Sequence, residues 1–181
     1  MSKRQRKTPT RTLSPLAPVP KHARRRAVIF DIDGTLVDSF HRSKMITDWV
    51  AATNDQIHEY AALMHKDTPI PAMVELCRTL HTAGYAIVLL TSRDATQYAA
   101  TVEYFDNYGI PFDELVVRDS IDDRRSSRVY KAEKLALIRE RYDVEFAIDD
   151  ENGVTQMFRA AGVPCLQCDG VGLPELKDKA A

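Results

Sequence analysis

Apolar residues along the chain cluster in five short runs, each four to six residues long and rich in Val, Ile, Leu or Phe. Short apolar runs are typical of parallel strands that other elements cover on both faces. The pattern therefore predicts five buried strands, at residues 27–30, 85–90, 114–117, 145–148 and 163–167.

The segments between these strands space their apolar residues as helices do. Four helices are predicted, at residues 71–83, 95–108, 129–142 and 151–161. Three of them stop at a glycine just before the next strand, which is the usual left-handed end of a helix; these are Gly84, Gly109 and Gly162. Alternating strands and helices predict an α/β fold, a doubly wound, Rossmann-like parallel sheet.

Residues 39–68 interrupt the alternation, because they are mostly helical in pattern with polar breaks. An insertion directly after the first strand predicts a small helical cap over whatever site that strand carries. Trp49, Tyr60 and Met64 lie in this segment, and we expect them to form the core of the cap rather than a platform for stacked bases.

Charge is distributed unevenly over the 181 residues. Residues 1–26 contain nine Lys or Arg and no Asp or Glu, which leaves 16 basic and 26 acidic residues for the remainder. Four prolines in the first twenty residues disfavour a helix there. We expect a disordered basic arm at residues 1–25, followed by one domain at residues 26–181. The arm suits contact with nucleic acid phosphates; a solubility tail, a nuclear address and an organelle transit peptide are the other readings.

Several protein classes do not fit the sequence. Apolar runs stay well below the ~18 residues of a membrane span, and the N-terminus lacks the apolar stretch of a secretory signal. The three cysteines do not suggest a disulfide framework, and no ATP-binding P-loop pattern occurs. We expect a cytoplasmic protein, in a bacterium or a phage-infected host, without a membrane partner.

Polar side chains follow three of the predicted strands at the point where each strand ends. Since the carboxyl ends of parallel strands share one edge of the sheet, we expect these side chains to meet there. They are Asp31 and Asp33 after the first strand, Thr91 and Arg93 after the second, and Asp149 and Asp150 after the fourth, with Lys131 in the helix before the fourth strand.

Four carboxylates at one sheet edge require a cation. Oxygen ligands without a suitable His or Cys set favour Mg²⁺ over zinc or copper, and Lys131 and Arg93 add fixed positive charge. Such a site suits a phosphoryl group. Asp31 is placed to attack phosphorus as a carboxylate nucleophile, and Asp33 to protonate the leaving oxygen and then deprotonate water.

The stretch DIDGTLVDS at residues 31–39 resembles motif I of the haloacid dehalogenase (HAD) superfamily of phosphohydrolases. Thr91 stands at motif II, Lys131 at motif III, and Asp149 with Asp150 at the acidic motif IV. The resemblance implies the HAD fold, a Mg²⁺ cofactor and an aspartyl-phosphate intermediate.

Residues 26–169 resemble more specifically the 3′-phosphatase domain of phage-type polynucleotide kinase/phosphatase. The stretches that carry this likeness are DTPIPAMVELCRTLHTAGYAIVLLTSRD, VVRDSIDDRRSSRVYKAEKL and FAIDDENGVTQMFRAAGVPCLQ. The resemblance implies Asp31 as nucleophile and Asp33 as acid and base. It also implies that the Asp31 carboxylate, the Asp33 carbonyl and Asp150 bind the metal, and that Asp149 supports them.

The same resemblance implies that Arg93 assists the substrate phosphate and that Arg118 and Arg124 face the substrate strand. The kinase half of the bifunctional enzymes is not present in these residues, so we expect no 5′-phosphorylation. The basic arm is not part of the likeness.

The leading hypothesis is a Mg²⁺-dependent phosphatase that removes 3′-phosphates from DNA or RNA ends, or from nucleotides, in nucleic acid end repair. A cap of about 30 residues leaves an open site, which favours a large substrate. A HAD 5′(3′)-nucleotidase or small-metabolite phosphatase is the alternative enzyme. A nucleic-acid-binding protein with an inactive HAD core is the alternative of another class, and the intact set of Asp31, Asp33, Lys131 and Asp150 argues against it.

Overall fold

The structure is a computed structural model that describes residues 24–169. Its strands are β1 Arg25–Phe30, β2 Val37–Asp38, β3 Thr68–Pro69, β4 Ala86–Asp94, β5 Glu114–Arg118, β6 Tyr142–Asp149 and β7 Cys165–Gln167. Its α-helices are α1 Phe40–Ser43, α2 Asn54–Ala62, α3 Pro71–Thr82, α4 Tyr98–Asn107, α5 Ser127–Arg141 and α6 Asn152–Ala160, with 3-10 turns at Met64–Lys66 and Ala95–Gln97.

Five strands form one parallel sheet in the order β5-β4-β1-β6-β7. Side chains of β1 alternate between two apolar clusters, because successive residues of a strand point to opposite faces. Ala27 and Ile29 pack with side chains of α5 and α6, whereas Val28 and Phe30 pack with side chains of α3 and α4. Burial on both faces explains the continuous apolar runs and confirms the predicted doubly wound α/β fold.

The register of the central strands brings three strand ends to the same edge. Phe30 of β1 pairs with Leu89 of β4 on one side and with Ile148 of β6 on the other. The amide of Asp31 donates to the carbonyl of Ile148 over 3.0 Å. The residues that follow β1 and β6 therefore emerge side by side.

β4 and β6 extend furthest beyond the predicted bounds, β1 and β5 also extend past them, and β7 is shorter than predicted because it begins at Cys165. β4 continues through Asp94, which pairs with Arg118 of β5. β6 begins at Tyr142, where the prediction had the preceding helix end and the strand start at residue 145. The charged residue Asp143 interrupts the apolar pattern at this start. A bulge falls at this part of the pairing between β1 and β6.

The insertion of residues 39–68 is closed at its base by an antiparallel ribbon. Val37 of β2 pairs with Pro69 of β3, so the segment leaves the sheet and returns at one point. α1, α2 and the 3-10 turn at Met64–Lys66 give it the predicted helical segments, which make up about half of its length, and the rest is irregular.

The core of the insertion is small. Ile46, Ile57 and Tyr60 are buried together, and Met64 is also buried. Trp49 is 47% exposed, so the prediction that it belongs to the cap core is wrong. A segment this short has few apolar partners, and the contact recorded for the indole is an edge-to-face contact with Tyr60.

The three predicted glycine stops are confirmed, with φ of 91° at Gly84, 58° at Gly109 and 76° at Gly162. Residues 1–23 of the predicted basic arm lie outside the described residues. Within residues 24–169, no helix has the length and apolar character needed to cross a bilayer.

Candidate active site

Lys131 links the carboxylates that follow two adjacent strands. Its Nζ donates to Asp31 Oδ1 over 2.6 Å and to Asp149 Oδ2 over 2.8 Å, and all three residues are buried. Burial by itself would lower the pKa of Lys131, but Asp31 and Asp149 outweigh it and hold this pKa above the usual range. The lysine is therefore a fixed positive charge between two carboxylates.

Asp150 brings a third carboxylate to the same place. One oxygen each from Asp31, Asp149 and Asp150 lies within 4.8 Å of the others. Burial and the neighbouring carboxylates raise the pKa of Asp31 well above its usual value, although Lys131 opposes the shift. Burial and Asp149 raise the pKa of Asp150 to about 6.

A divalent cation fits this cluster. Three ionised carboxylates and one ammonium leave two negative charges without a partner, and the ligand atoms on offer are all oxygen. Hard cations such as Mg²⁺ take oxygen ligands of this kind. Asp31, Asp149 and Asp150 are the side chains that would hold the ion.

The absence of a side chain at Gly34 leaves room for the Asp150 carboxylate. Gly34 has φ of +84°, and a Cβ there would stand 2.2 Å from Asp150 Oδ2. The chain therefore turns after Asp33 directly against the Asp150 carboxylate, which a larger residue would displace.

Asp33 belongs to a second, separate charge group. Arg93 donates Nε to Asp33 Oδ2 and Nη2 to Asp33 Oδ1, both over 2.8 Å. Arg42 Nη2 donates to the same Oδ1 over 2.5 Å. Burial would raise the pKa of Asp33, but Arg93 and Arg42 outweigh it and hold this pKa well below the usual range.

The buried carboxylate of Asp67 in turn binds both arginines, Arg42 and Arg93. Arg42 Nε and Nη2 donate to the two oxygens of Asp67 over 2.8 and 2.6 Å, and Arg93 Nη2 lies 3.3 Å from Asp67 Oδ2. His41 Nε2 is 2.9 Å from Asp67 Oδ1. No motif in the sequence singles out Arg42 or Asp67. The signal that the sequence does offer is their location, since both residues lie near an end of the insertion, where it meets the sheet.

Arg118 and Arg124 are engaged by protein groups. The Arg118 guanidinium lies 4.6 Å from the Tyr130 ring centroid and donates Nε to the Ser92 carbonyl over 3.0 Å. It also pairs with the Asp123 carboxylate at 3.2 Å. Arg124 donates to Asn54 Oδ1 on α2. Both arginines therefore hold the loop at residues 119–126, and Arg124 ties that loop to the insertion.

All nine side chains that the sequence singled out line one cavity of about 550 Å³. Thr91 is among them, and its Oγ1 accepts from the amide of Arg93 over 3.2 Å. Trp49, Val50, Ile57 and Tyr60 of the insertion form a further part of the lining. The arrangement supplies a buried carboxylate beside a lysine, oxygen ligands for a cation and several guanidinium groups, which together suit phosphoryl transfer.

Comparison with known proteins places this geometry in a family context. Residues 25–171 match the model of the polynucleotide kinase PNKP phosphatase domain. A chain of the Pnkp1/Rnl/Hen1 complex is 27% identical with a TM-score of 0.66, over 84% of this chain and 48% of that one. A chain in the structure of the Pnkp1/Rnl/Hen1 RNA repair complex is also 27% identical, with a TM-score of 0.66, over 83% of this chain and 44% of that one.

This chain spans about half the length of those two chains, at 48% and 44%. A haloacid dehalogenase-like hydrolase from Streptococcus pneumoniae, 18% identical with a TM-score of 0.54, covers 86% of this chain and 91% of its own. That likeness concerns the fold alone.

Replacing Gly34 by Ala should displace Asp150, because the new Cβ would overlap its carboxylate. We expect Mg²⁺ affinity, measured by isothermal titration calorimetry, to fall about 10- to 100-fold. Gly153→Ala is the matched control, since the nearest atom to a Cβ there is 3.5 Å away and the residue lies within α6. Equal affinities in the two variants would contradict the role assigned to Gly34.

Replacing Arg42 by Met should leave Asp67 buried without its main partner. We expect the free energy of unfolding, measured with urea, to fall by about 3–5 kcal/mol. Arg141→Met is the control, because Arg141 forms a more exposed ion pair with Glu114 and its loss should cost at most about 1 kcal/mol. A similar small cost for Arg42→Met would contradict the structural role of this buried network.

Proposed function

The chain belongs to the family of polynucleotide kinase PNKP phosphatase domains, and from that premise we propose that it removes 3′-phosphate groups from polynucleotide ends with the help of Mg²⁺. The observation that carries the proposal is the convergence of Asp31, Lys131 and the three-carboxylate cluster in one cavity. The likeness to a chain of an RNA repair complex makes RNA ends the first substrates to test, beside DNA ends.

Asp31 is the proposed nucleophile. Burial raises its pKa although Lys131 opposes the shift, and a bound cation would further favour the ionised form. A carboxylate oxygen of Asp31 attacks phosphorus, and the bond from phosphorus to the 3′ oxygen breaks. Asp33 gives a proton to that oxygen, which leaves as the 3′-hydroxyl. Water, deprotonated by Asp33, then attacks the aspartyl phosphate and releases inorganic phosphate.

Arg93 links substrate binding to the protonation of Asp33. While Arg93 and Arg42 bind Asp33, its lowered pKa keeps it ionised and unable to donate a proton. A substrate phosphate competes for the same guanidinium fork, since arginine binds phosphate in two-point fashion. If Arg93 turns to the phosphate, Asp33 loses a counter-charge and its pKa rises toward that of a general acid.

The carboxylates of Asp31, Asp149 and Asp150, with the Asp33 carbonyl that the sequence resemblance indicates, would hold Mg²⁺. When bound, Mg²⁺ would offset the negative charge on the phosphoryl group during transfer. Lys131 keeps Asp31 and Asp149 in place for this task through its two hydrogen bonds.

The test compares phosphate release from matched oligonucleotides that carry a 3′- or a 5′-phosphate, and from nucleoside monophosphates. We expect release from the 3′-phosphate alone, with Mg²⁺ present and not with chelator. Asp31→Asn should lower the rate at least about 10³-fold. Asp106→Asn, on the exposed side of α4, is the control that should keep full activity.

Equal release from nucleoside monophosphates or 5′ ends would replace this proposal by the nucleotidase alternative. No release from any substrate, with oligonucleotide binding retained, would favour the binding-protein alternative. We also propose that the basic arm binds nucleic acid phosphates. A chain lacking residues 1–23 should then keep its kcat and bind oligonucleotides more weakly, with a smaller dependence on salt.

A further inference from the structure

The sole tryptophan of the chain lines the same cavity as the catalytic carboxylates. Trp49 is 47% exposed, and its neighbour Val50, which also lines the cavity, is 69% exposed. Tyr60 and Ile57 of the same wall are buried. In this part of the cavity wall, buried Tyr60 and Ile57 therefore lie within the insertion, and the apolar side chains of Trp49 and Val50 remain exposed to solvent.

The indole is connected to the catalytic group through a chain of direct contacts. Trp49 meets Tyr60 edge to face, with ring centroids 4.9 Å apart and an interplanar angle of 86°. The Arg42 guanidinium lies 4.1 Å from the Tyr60 ring centroid. Arg42 Nη2 in turn donates to Asp33 over 2.5 Å. The position of Trp49 is thus set relative to Asp33 by two aromatic contacts and one ion pair.

The insertion is also fastened to the loop at residues 119–126. Asn54 Nδ2 donates to Asp122 Oδ1 over 3.1 Å, and Arg124 donates to Asn54 Oδ1. Ile121 packs against the buried cluster that contains Tyr60. Because Ile121 and Tyr60 both line the cavity, the insertion that carries Trp49 is held beside the site before any substrate arrives.

We propose that Trp49, with Val50 beside it, is the stacking surface for the nucleobase of the terminal nucleotide. This inference rests on the proposed function and adds to it the part of the substrate that the insertion binds. Other residues that line the cavity supply carboxylates, guanidinium groups and the Lys131 ammonium, which suit the phosphate. A flat, aromatic base attached to that phosphate needs an apolar face, and exposed Trp49 and Val50 provide one.

Stacking predicts a particular selectivity. Every base has an aromatic face, so a tryptophan platform accepts all four bases and reads no hydrogen-bond pattern. Base–aromatic stacking contributes about 1–3 kcal/mol per base. Because the base takes no part in breaking the phosphorus–oxygen bond, its contribution should appear in KM and not in kcat.

The activity test uses the full chain and two substrates, a 3′-phosphorylated oligonucleotide and the same oligonucleotide without its terminal base. Trp49→Ala should raise KM for the first substrate about 10-fold and leave kcat within about threefold. Trp49→Phe should recover most of the loss. Neither variant should change KM for the abasic substrate. Met45→Ala is the matched control, since Met45 is similarly exposed in the same insertion and does not line the cavity.

A binding test uses the fact that all tryptophan fluorescence comes from Trp49. In the Asp31→Asn chain, which should bind without turnover, the base-bearing oligonucleotide should quench this emission. Inorganic phosphate and the abasic oligonucleotide should leave it nearly unchanged. Quenching by inorganic phosphate to the same extent would overturn the stacking role.

The two proposals fail in different ways. If the wild-type chain hydrolyses base-bearing and abasic 3′ ends with the same KM, the stacking surface is refuted and the proposed function stands. If it hydrolyses no 3′ end, the proposed function is refuted. An equal rise in KM for both substrates on Trp49→Ala would show that the residue supports the insertion, and would overturn its assignment to the base.

Discussion

Lys131 and the three carboxylates around it form the interaction on which the site depends. The parallel register sets Phe30 opposite Ile148, so the aspartates that follow these residues are forced into proximity. Such a concentration of like charge in a buried place is unfavourable without compensation. Lys131 compensates one charge by bridging Asp31 and Asp149, and the oxygen atoms that Asp31, Asp149 and Asp150 bring together could bind a divalent cation that compensates the rest. The fold thereby creates an excess of negative charge that a bound divalent cation would offset, and the same cation would attract a phosphate group.

The two aspartates of the DIDGT stretch have opposite surroundings although a single residue separates them. Asp31 faces carboxylates and a lysine, and burial raises its pKa. Asp33 faces Arg42 and Arg93, which lower its pKa. Environments that separate the pKa values of neighbouring carboxylates are a common way to give them different roles. Of the two arginines, Arg93 lines the cavity, and under the proposed function it would bind the substrate phosphate and so make the protonation of Asp33 respond to the substrate.

Much of the fold follows from local sequence signals. The apolar runs predict the sheet because each strand is buried on both faces, and Gly84, Gly109 and Gly162 mark helix ends because they adopt positive φ. The strand ends predict which side chains gather, since parallel strands share a carboxyl edge. The early start of β6 at Tyr142 is not predicted, because Asp143 interrupts the apolar pattern there.

The remainder depends on contacts between distant segments. Asp67 meets Arg42 and Arg93 only after the insertion has folded back on the β2–β3 ribbon. Trp49 is predicted to belong to the cap core, but the structure leaves it 47% exposed, because the short insertion offers few apolar partners. The periodicity of apolar residues predicts neither the contacts of Asp67 nor the exposure of Trp49.

The convergence of Asp31 and Asp150 on one divalent ion is the central claim, and diffraction from crystals grown with Mn²⁺ in place of Mg²⁺ tests it most directly. The anomalous signal of the metal should give one peak, with carboxylate oxygens of Asp31 and Asp150 both at ligand distance, roughly 2.0–2.2 Å from it. A peak away from these residues, or one that Asp31 contacts without Asp150, would contradict the account.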